Sequence, residues 1–189
     1  MRIRWAVFAS GHGSNLQNVF NLEAQGLIPH QEVVWVHADR PCRAIERAQE
    51  RGISTWIQSP KAEAYVENVL TRLDQAQVDR IFLLGYMRIL SADFLSRVGR
   101  PVLNLHPSLL PAYRGLRAIE RAYEAGEPVV GVSIHEVIAE LDAGPLVAQA
   151  KVERDPEESL DRLISRVHEL EYSLVRDYLL SLESRISLE

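Results

Sequence analysis

Short apolar runs alternate with longer amphipathic stretches through most of this chain. The runs Ile3 to Ala9, Glu32 to Ala38, Arg80 to Leu84 and Pro101 to Leu105 have the length and character of strands. Between them, Asn15 to Gln25, Cys42 to Arg51 and Ala62 to Gln75 repeat apolar residues at three- and four-residue intervals, as amphipathic helices do. This alternation predicts β-α-β units with right-handed crossovers and a parallel sheet. Farther on, Val129 to Val137 and Pro145 to Val152 predict two more strands, and Pro156 to Leu180 one long terminal helix. This half is expected to turn antiparallel. With neither a linker nor an internal repeat in view, the expectation is one Rossmann-like α/β domain over residues 1–189, with a mostly parallel central sheet flanked by helices.

Composition narrows the function classes. The chain of 189 residues is 47% hydrophobic and 25% charged, with a net charge of −5, which suits a globular core and offers no basic face for nucleic acid. No stretch approaches the roughly 18 apolar residues of a membrane span, and Gly11 and Gly13 interrupt the N-terminal run before any secretory cleavage pattern. A cytoplasmic protein acting on small molecules, as monomer or homodimer, without nucleic-acid or membrane partners, is therefore expected. Cys42 is the single cysteine, so neither an internal disulfide nor a thiolate metal cluster can form. His135-Glu136 opens like a zinc-protease motif, but Ala139 stands where the second ligand belongs, so no metal site is expected.

In open α/β sheets, ligands collect beyond the carboxyl ends of strands, which directs attention to the loops there. After Ala9 comes Ser10-Gly11-His12-Gly13-Ser14-Asn15, with helical spacing beginning at Leu16. Glycines allow a close backbone approach, and the free N–H groups of a helix start, with Ser14 and Asn15, can cradle a phosphate. An ordinary strand-to-helix turn capped by Ser14 or Asn15 reads equally well. Leu16 in place of a third glycine and the absence of a P-loop lysine disfavour a dinucleotide or ATP. Farther along, Asn104 and His106 alternate on one strand and so share a face. By themselves they read as satisfied strand-end polar groups. Asp142 lies in the turn-rich Glu140-Leu141-Asp142-Ala143-Gly144-Pro145, where a turn-forming role is available too. Brought beside His106, its carboxylate would orient the imidazole and raise its pKa.

The segment Asn104-Leu105-His106-Pro107-Ser108-Leu109-Leu110-Pro111, followed by Leu141-Asp142-Ala143-Gly144-Pro145, resembles the active-site segments of the folate-dependent formyltransferases, and the likeness spans nearly the whole chain. The resemblance implies the formyltransferase type of α/β fold, with Asn104, His106 and Asp142 as catalytic residues. It also implies transfer of a formyl group from the cosubstrate 10-formyltetrahydrofolate, with no metal. Gly11-His12-Gly13-Ser14-Asn15-Leu16-Gln17 is similar to the family's loop for the phosphate of phosphoribosylglycinamide. The implied acceptor site is thus Gly13, Ser14 and Asn15 for the phosphate and Glu171 near the amine. The implied folate site is Met87, Arg88, Ile89 and Leu90 together with Asn104. In the implied reaction Asn104 and a protonated His106 stabilise the oxyanion, and Asp142 maintains that proton.

Several positions depart from the family's pattern. Arg114 and Arg117 stand where small residues and a histidine are usual, and Tyr113-Arg114-Gly115 is closer to branches that formylate amino-sugar nucleotides. Ala62 replaces an arginine near the folate tail, with Lys61 alongside as a substitute. An amino-sugar nucleotide acceptor and a nonenzymatic folate-binding module are the two alternatives.

Overall fold

A computed structural model describes residues 2–187. Among the described residues, seven strands form one sheet: β1 (Ile3–Ala9), β2 (Gln31–Ala38), β3 (Ser54–Ile57), β4 (Arg80–Leu83), β5 (Val102–His106), β6 (Val129–Glu136) and β7 (Leu146–Glu153). Their order is β3-β2-β1-β4-β5-β6-β7, parallel from β3 through β5 and antiparallel at both β5–β6 and β6–β7. The expected single α/β domain, mostly parallel with an antiparallel late half, is the architecture found.

Helices α1 (Ser14–Ala24), α2 (Arg43–Glu50), α3 (Tyr65–Gln75), α4 (Ala92–Arg97), α5 (Ala118–Glu124) and α6 (Leu160–Ile186) flank the sheet. One core lies between the sheet and α1, α2 and α6, built around Leu16, Phe20, Val132, Leu163 and Val175. The other lies beneath α3 and α4, around Phe8, Trp35, Val69, Ile81 and Phe94. β1 is buried along almost its whole length, as a central strand covered on both faces must be. Among the described residues, no helix is long and apolar enough to cross a membrane.

The differences from expectation are local. β3 has four residues with a partly exposed pattern and pairs on one side only, too short and polar to stand out as an apolar run. The six- and seven-residue helices α4 and α5 are too short to show a period. α3 begins at Tyr65 rather than Ala62, because Ala64 is left-handed at φ 54° and interrupts the helix there. α6 begins at Leu160 rather than at Pro156, where Ser159 accepts the Arg162 N–H. It then runs past Leu180 because Leu182 packs into the core and Glu183 receives the Gln31 amide.

The chain passes outward from β1 through β2 to β3, then returns to build β4 and β5 on the other side of β1. The carboxyl ends of β1 and β4 thus flank the switch point where such sheets bind ligands. The loop after β4 is fastened to the loop after β1 there: Ser10 N–H donates to the Gly85 carbonyl (3.1 Å) and Met87 N–H to Ser10 Oγ (2.8 Å).

Candidate active site

At the end of β5, alternation places Asn104 and His106 on one side, and the turn after β6 delivers Asp142 between them. Asn104 Nδ2 lies 3.4 Å from Asp142 Oδ1, and His106 Nδ1 lies 3.5 Å from Asp142 Oδ2. The side chains of His106 and Asp142 are only 7% and 8% exposed. All three line a cavity of about 390 Å³, whose apolar walls come from the Met87–Leu90 loop on one side and Ile138 and Leu141 on the other. Met87 and Ile89 are strongly exposed there, leaving apolar surface uncovered by protein.

Asp142 adopts a left-handed conformation, φ 48°, which turns its carboxylate back toward the strand ends. The Gly115 N–H holds its Oδ2 at 2.8 Å. Burial, the largest influence, raises the Asp142 pKa, but the imidazoles of His135 and His106 beside it and the Gly115 N–H together outweigh burial and the net direction is down. The carboxylate is therefore ionised at neutral pH.

His106 behaves differently from the expectation drawn from its neighbour. Burial lowers its pKa more than the Tyr113 carbonyl and Asp142 raise it, so the net shift is downward. Asp142 does not keep this imidazole protonated at neutral pH in the unliganded protein, because desolvation of a nearly buried ring outweighs attraction across 3.5 Å. His106 Nε2 lies 3.0 Å from the Tyr113 carbonyl, which can only accept, so the neutral ring carries its proton on Nε2. Nδ1 is left with a free lone pair toward Asp142.

Two residues given no chemical role above belong to this site. β6 pairs His135 with Asn104 and Ser133 with His106, so their alternation mirrors the strand beside them. His135 Nδ1–H donates to the Glu136 carbonyl, and Nε2 therefore accepts an amide proton from Asn104 at 3.1 Å. Ser133 Oγ donates to the Ser108 carbonyl and accepts from the Leu110 N–H, pinning the turn after β5. The Ser133-x-His135 alternation was the available signal, visible only once β6 is known to lie against β5.

At the start of α1, Gly13 occupies the cap position with φ 72°, and no side chain caps the helix. A Cβ there would fall 2.7 Å from the Ala44 Cβ, so both space and conformation require glycine. The first-turn N–H groups therefore lack a side-chain cap. Asn15 Nδ2 donates to Glu171 Oε2 at 2.9 Å, and Asn15 Oδ1 is buried without a partner. Burial pushes the Glu171 pKa up to about 7. The structure thus joins Glu171 to the Gly13–Asn15 loop, whereas the residues lining the cavity of Asn104, His106 and Asp142 do not include it.

Of the two unusual arginines, Arg117 lines the cavity with an exposed side chain. Arg114 pairs with Glu140 at 2.8 Å, bridging the two segments that meet at Asp142. Lys61 and Ala62 sit in an exposed turn ahead of α3, outside the cavity lining.

The family model described as formyl transferase matches residues 3–179 of this chain. The chain belongs to the formyl transferase family. It is similar to the phosphoribosylglycinamide formyltransferase of Bacillus subtilis (strain 168), with 34% identity over 190 residues, covering 96% of this chain and 97% of that protein. The corresponding enzyme of Escherichia coli (strain K12) is 36% identical over 172 residues, 89% of this chain and 81% of that one. Among solved structures, glycinamide ribonucleotide transformylase 1 from Geobacillus kaustophilus superposes with a TM-score of 0.90 at 37% identity, covering 96% of this chain and 99% of that chain. Within the formyl transferase fold, therefore, the cavity of Asn104, His106 and Asp142 lies beside the sheet's switch point, and the α1 start opens from the same edge.

Proposed function

We propose that this formyl transferase moves the formyl group of 10-formyltetrahydrofolate to the amine of 5'-phosphoribosylglycinamide, releasing the N-formyl product and tetrahydrofolate for purine biosynthesis. The observation that carries this reading is the meeting of Asn104, His106 and Asp142, from two separate segments, at one largely apolar cavity. The full-length likeness to named enzymes of that activity supports it.

In this reading the folate's pterin enters between Met87–Leu90 and Leu141, and the acceptor's phosphate sits on the N–H groups of Gly13, Ser14 and Asn15. Glu171, beside Asn15, offers a hydrogen-bonding carboxyl along the acceptor. Holding both substrates converts a bimolecular encounter into an oriented one. The neutral amine attacks the formyl carbon, and the carbonyl oxygen takes up negative charge.

Asn104 directs its amide protons at His135 Nε2 and at Asp142 Oδ1, the latter at a long 3.4 Å. That weaker bond yields to the developing oxyanion, a donor worth roughly 3–4 kcal/mol when well aimed. His106 Nδ1 accepts the proton shed by the attacking amine, and the resulting imidazolium is stabilised by Asp142 and donates toward the charged oxygen. The C–N10 bond then breaks, and the proton passes to N10. His106 thus enters as a base and becomes the donor during the reaction.

The test is an acceptor panel. With 10-formyltetrahydrofolate as donor, turnover is expected with phosphoribosylglycinamide and not with an amino-sugar nucleotide or with water alone. Preference for the sugar nucleotide would replace the acceptor, and folate binding without turnover on any acceptor would make the chain a binding module.

A further inference from the structure

Beneath the Met87–Leu90 loop lies a buried polar chain that the mechanism above does not use. His37, on β2, is fully buried among Phe8, Trp35 and Tyr86. Its Nδ1 lies 3.2 Å from the Trp56 carbonyl, and its Nε2 3.1 Å from the hydroxyl of Tyr65 on α3. The Tyr65 hydroxyl lies in turn 3.0 Å from that of Tyr86.

The direction of every proton in this chain follows from its end. A carbonyl accepts only, so His37 Nδ1–H donates to Trp56, and the neutral ring presents Nε2 as an acceptor. The Tyr65 hydroxyl, at 3.1 Å, is nearer to that nitrogen than the Tyr86 hydroxyl at 3.5 Å, so Tyr65 gives its proton to His37. Its oxygen accepts, and Tyr86 is left as the donor. Burial holds the His37 pKa down at about 4, which keeps the ring in the neutral form this order requires. Such a chain is costly to bury unless every member is satisfied, and a satisfied one fixes side chains in a single arrangement.

Tyr86 is the residue immediately before Met87, and it lines the same cavity as Asn104 and His106. The segment on either side of it is fastened separately: the Gly85 carbonyl and the Met87 N–H to Ser10, and Arg88 to the buried Asp39 carboxylate at 2.7 Å. The side chains of Met87 and Ile89 stay exposed. We propose that Tyr86 is a positioning residue for the formyl-donor loop, held from below by the directional chain Tyr86 to Tyr65 to His37. The chain sets the backbone height of Met87–Leu90, so the apolar wall is ordered before the donor arrives and less ordering accompanies binding. This rests on the donor reading of the cavity given above.

The experiment uses Tyr86→Phe and Tyr65→Phe, singly and together. Loss of one buried hydrogen bond is expected to raise the KM for 10-formyltetrahydrofolate about five-fold, with kcat and the KM for the acceptor unchanged. Because the chain acts as a unit, the double variant should be no weaker than the worse single one. Amide hydrogen exchange at Met87–Leu90 in the unliganded variants should accelerate, while exchange at the β5 end stays as in wild type. An unchanged donor KM with unchanged exchange overturns the proposal. So does a parallel loss of kcat and both KM values, which would mark a general structural role. Faster loop exchange in the variants, together with a wild-type protein that binds no folate, would overturn the donor reading instead and leave the anchoring of the loop standing.

Discussion

His106 Nδ1 and Asp142 Oδ2, on side chains that are nearly buried, face each other at 3.5 Å, with the ring neutral and the carboxylate charged. The pair is therefore poised to receive a proton, since protonation of Nδ1 creates the ion pair that the resting state lacks.

Asp142→Asn removes the charge that stabilises the imidazolium while keeping the side-chain shape. Turnover should fall by about 100-fold or more, within the range of general acid–base contributions, with little change in acceptor affinity. Steady-state rates and acceptor binding by calorimetry check this, and near-native turnover would sink the role given to Asp142.

The acid limb of the pH profile follows from His106. Its pKa is drawn below the usual imidazole value by burial, and the base form is the active one. Once the titration of the acceptor's own amine, at about pH 8, is allowed for, the kcat/KM for the acceptor should thus hold steady toward neutrality and decline only below about 6.5. Activity lost instead as pH rises through the imidazole range would mean that the ring works as a resident cation.

Glu171 carries the opposite sign. Its folded pKa of about 7 lies above the ordinary glutamate value. Between those values the folded state holds a proton that the unfolded state has lost, so its contribution to stability is full at low pH and is lost as pH rises through 7. Glu171→Gln should stabilise the protein at pH 8 by roughly 1–3 kcal/mol relative to wild type and by little at pH 4. It should also weaken acceptor binding. Thermal melts at the two pH values decide the first point and titration with acceptor the second.

Gly13→Ala forces a Cβ into Ala44 from a left-handed backbone. A stability loss of about 1–3 kcal/mol is expected, together with a raised KM for the phosphorylated acceptor and an unchanged donor KM. Denaturant melts and paired KM measurements test it. A variant with wild-type stability and both KM values intact would show that the loop neither needs glycine nor seats the phosphate.

Strand and helix placement was largely legible because period and length carry it. The run Ile3 to Ala9 coincides with β1, and Asn104 and His106 share a face simply because strands alternate. β3 was not legible, since four half-exposed residues at a sheet edge are not apolar enough to register. His135 was passed over for a different reason: nothing within its own strand points to Asn104, and only the register of β6 on β5 brings the two together. The protonation of His106 was misjudged because attraction to Asp142 can be inferred from residue types, whereas the opposing cost of burial depends on what surrounds the ring.

By itself, then, the sequence determined the residue types, the periodicities that build the sheet, and the pairing of motifs that marks a formyl transferase. Tertiary structure decided which nitrogen of His106 bears a proton, that Glu171 meets Asn15, and that His37, Tyr65 and Tyr86 join in one chain. Periodicity and local chemistry act over a few residues and are written in the chain. Desolvation and proton direction are set by neighbours dozens of residues away, and they take a value only when the sheet has closed around them.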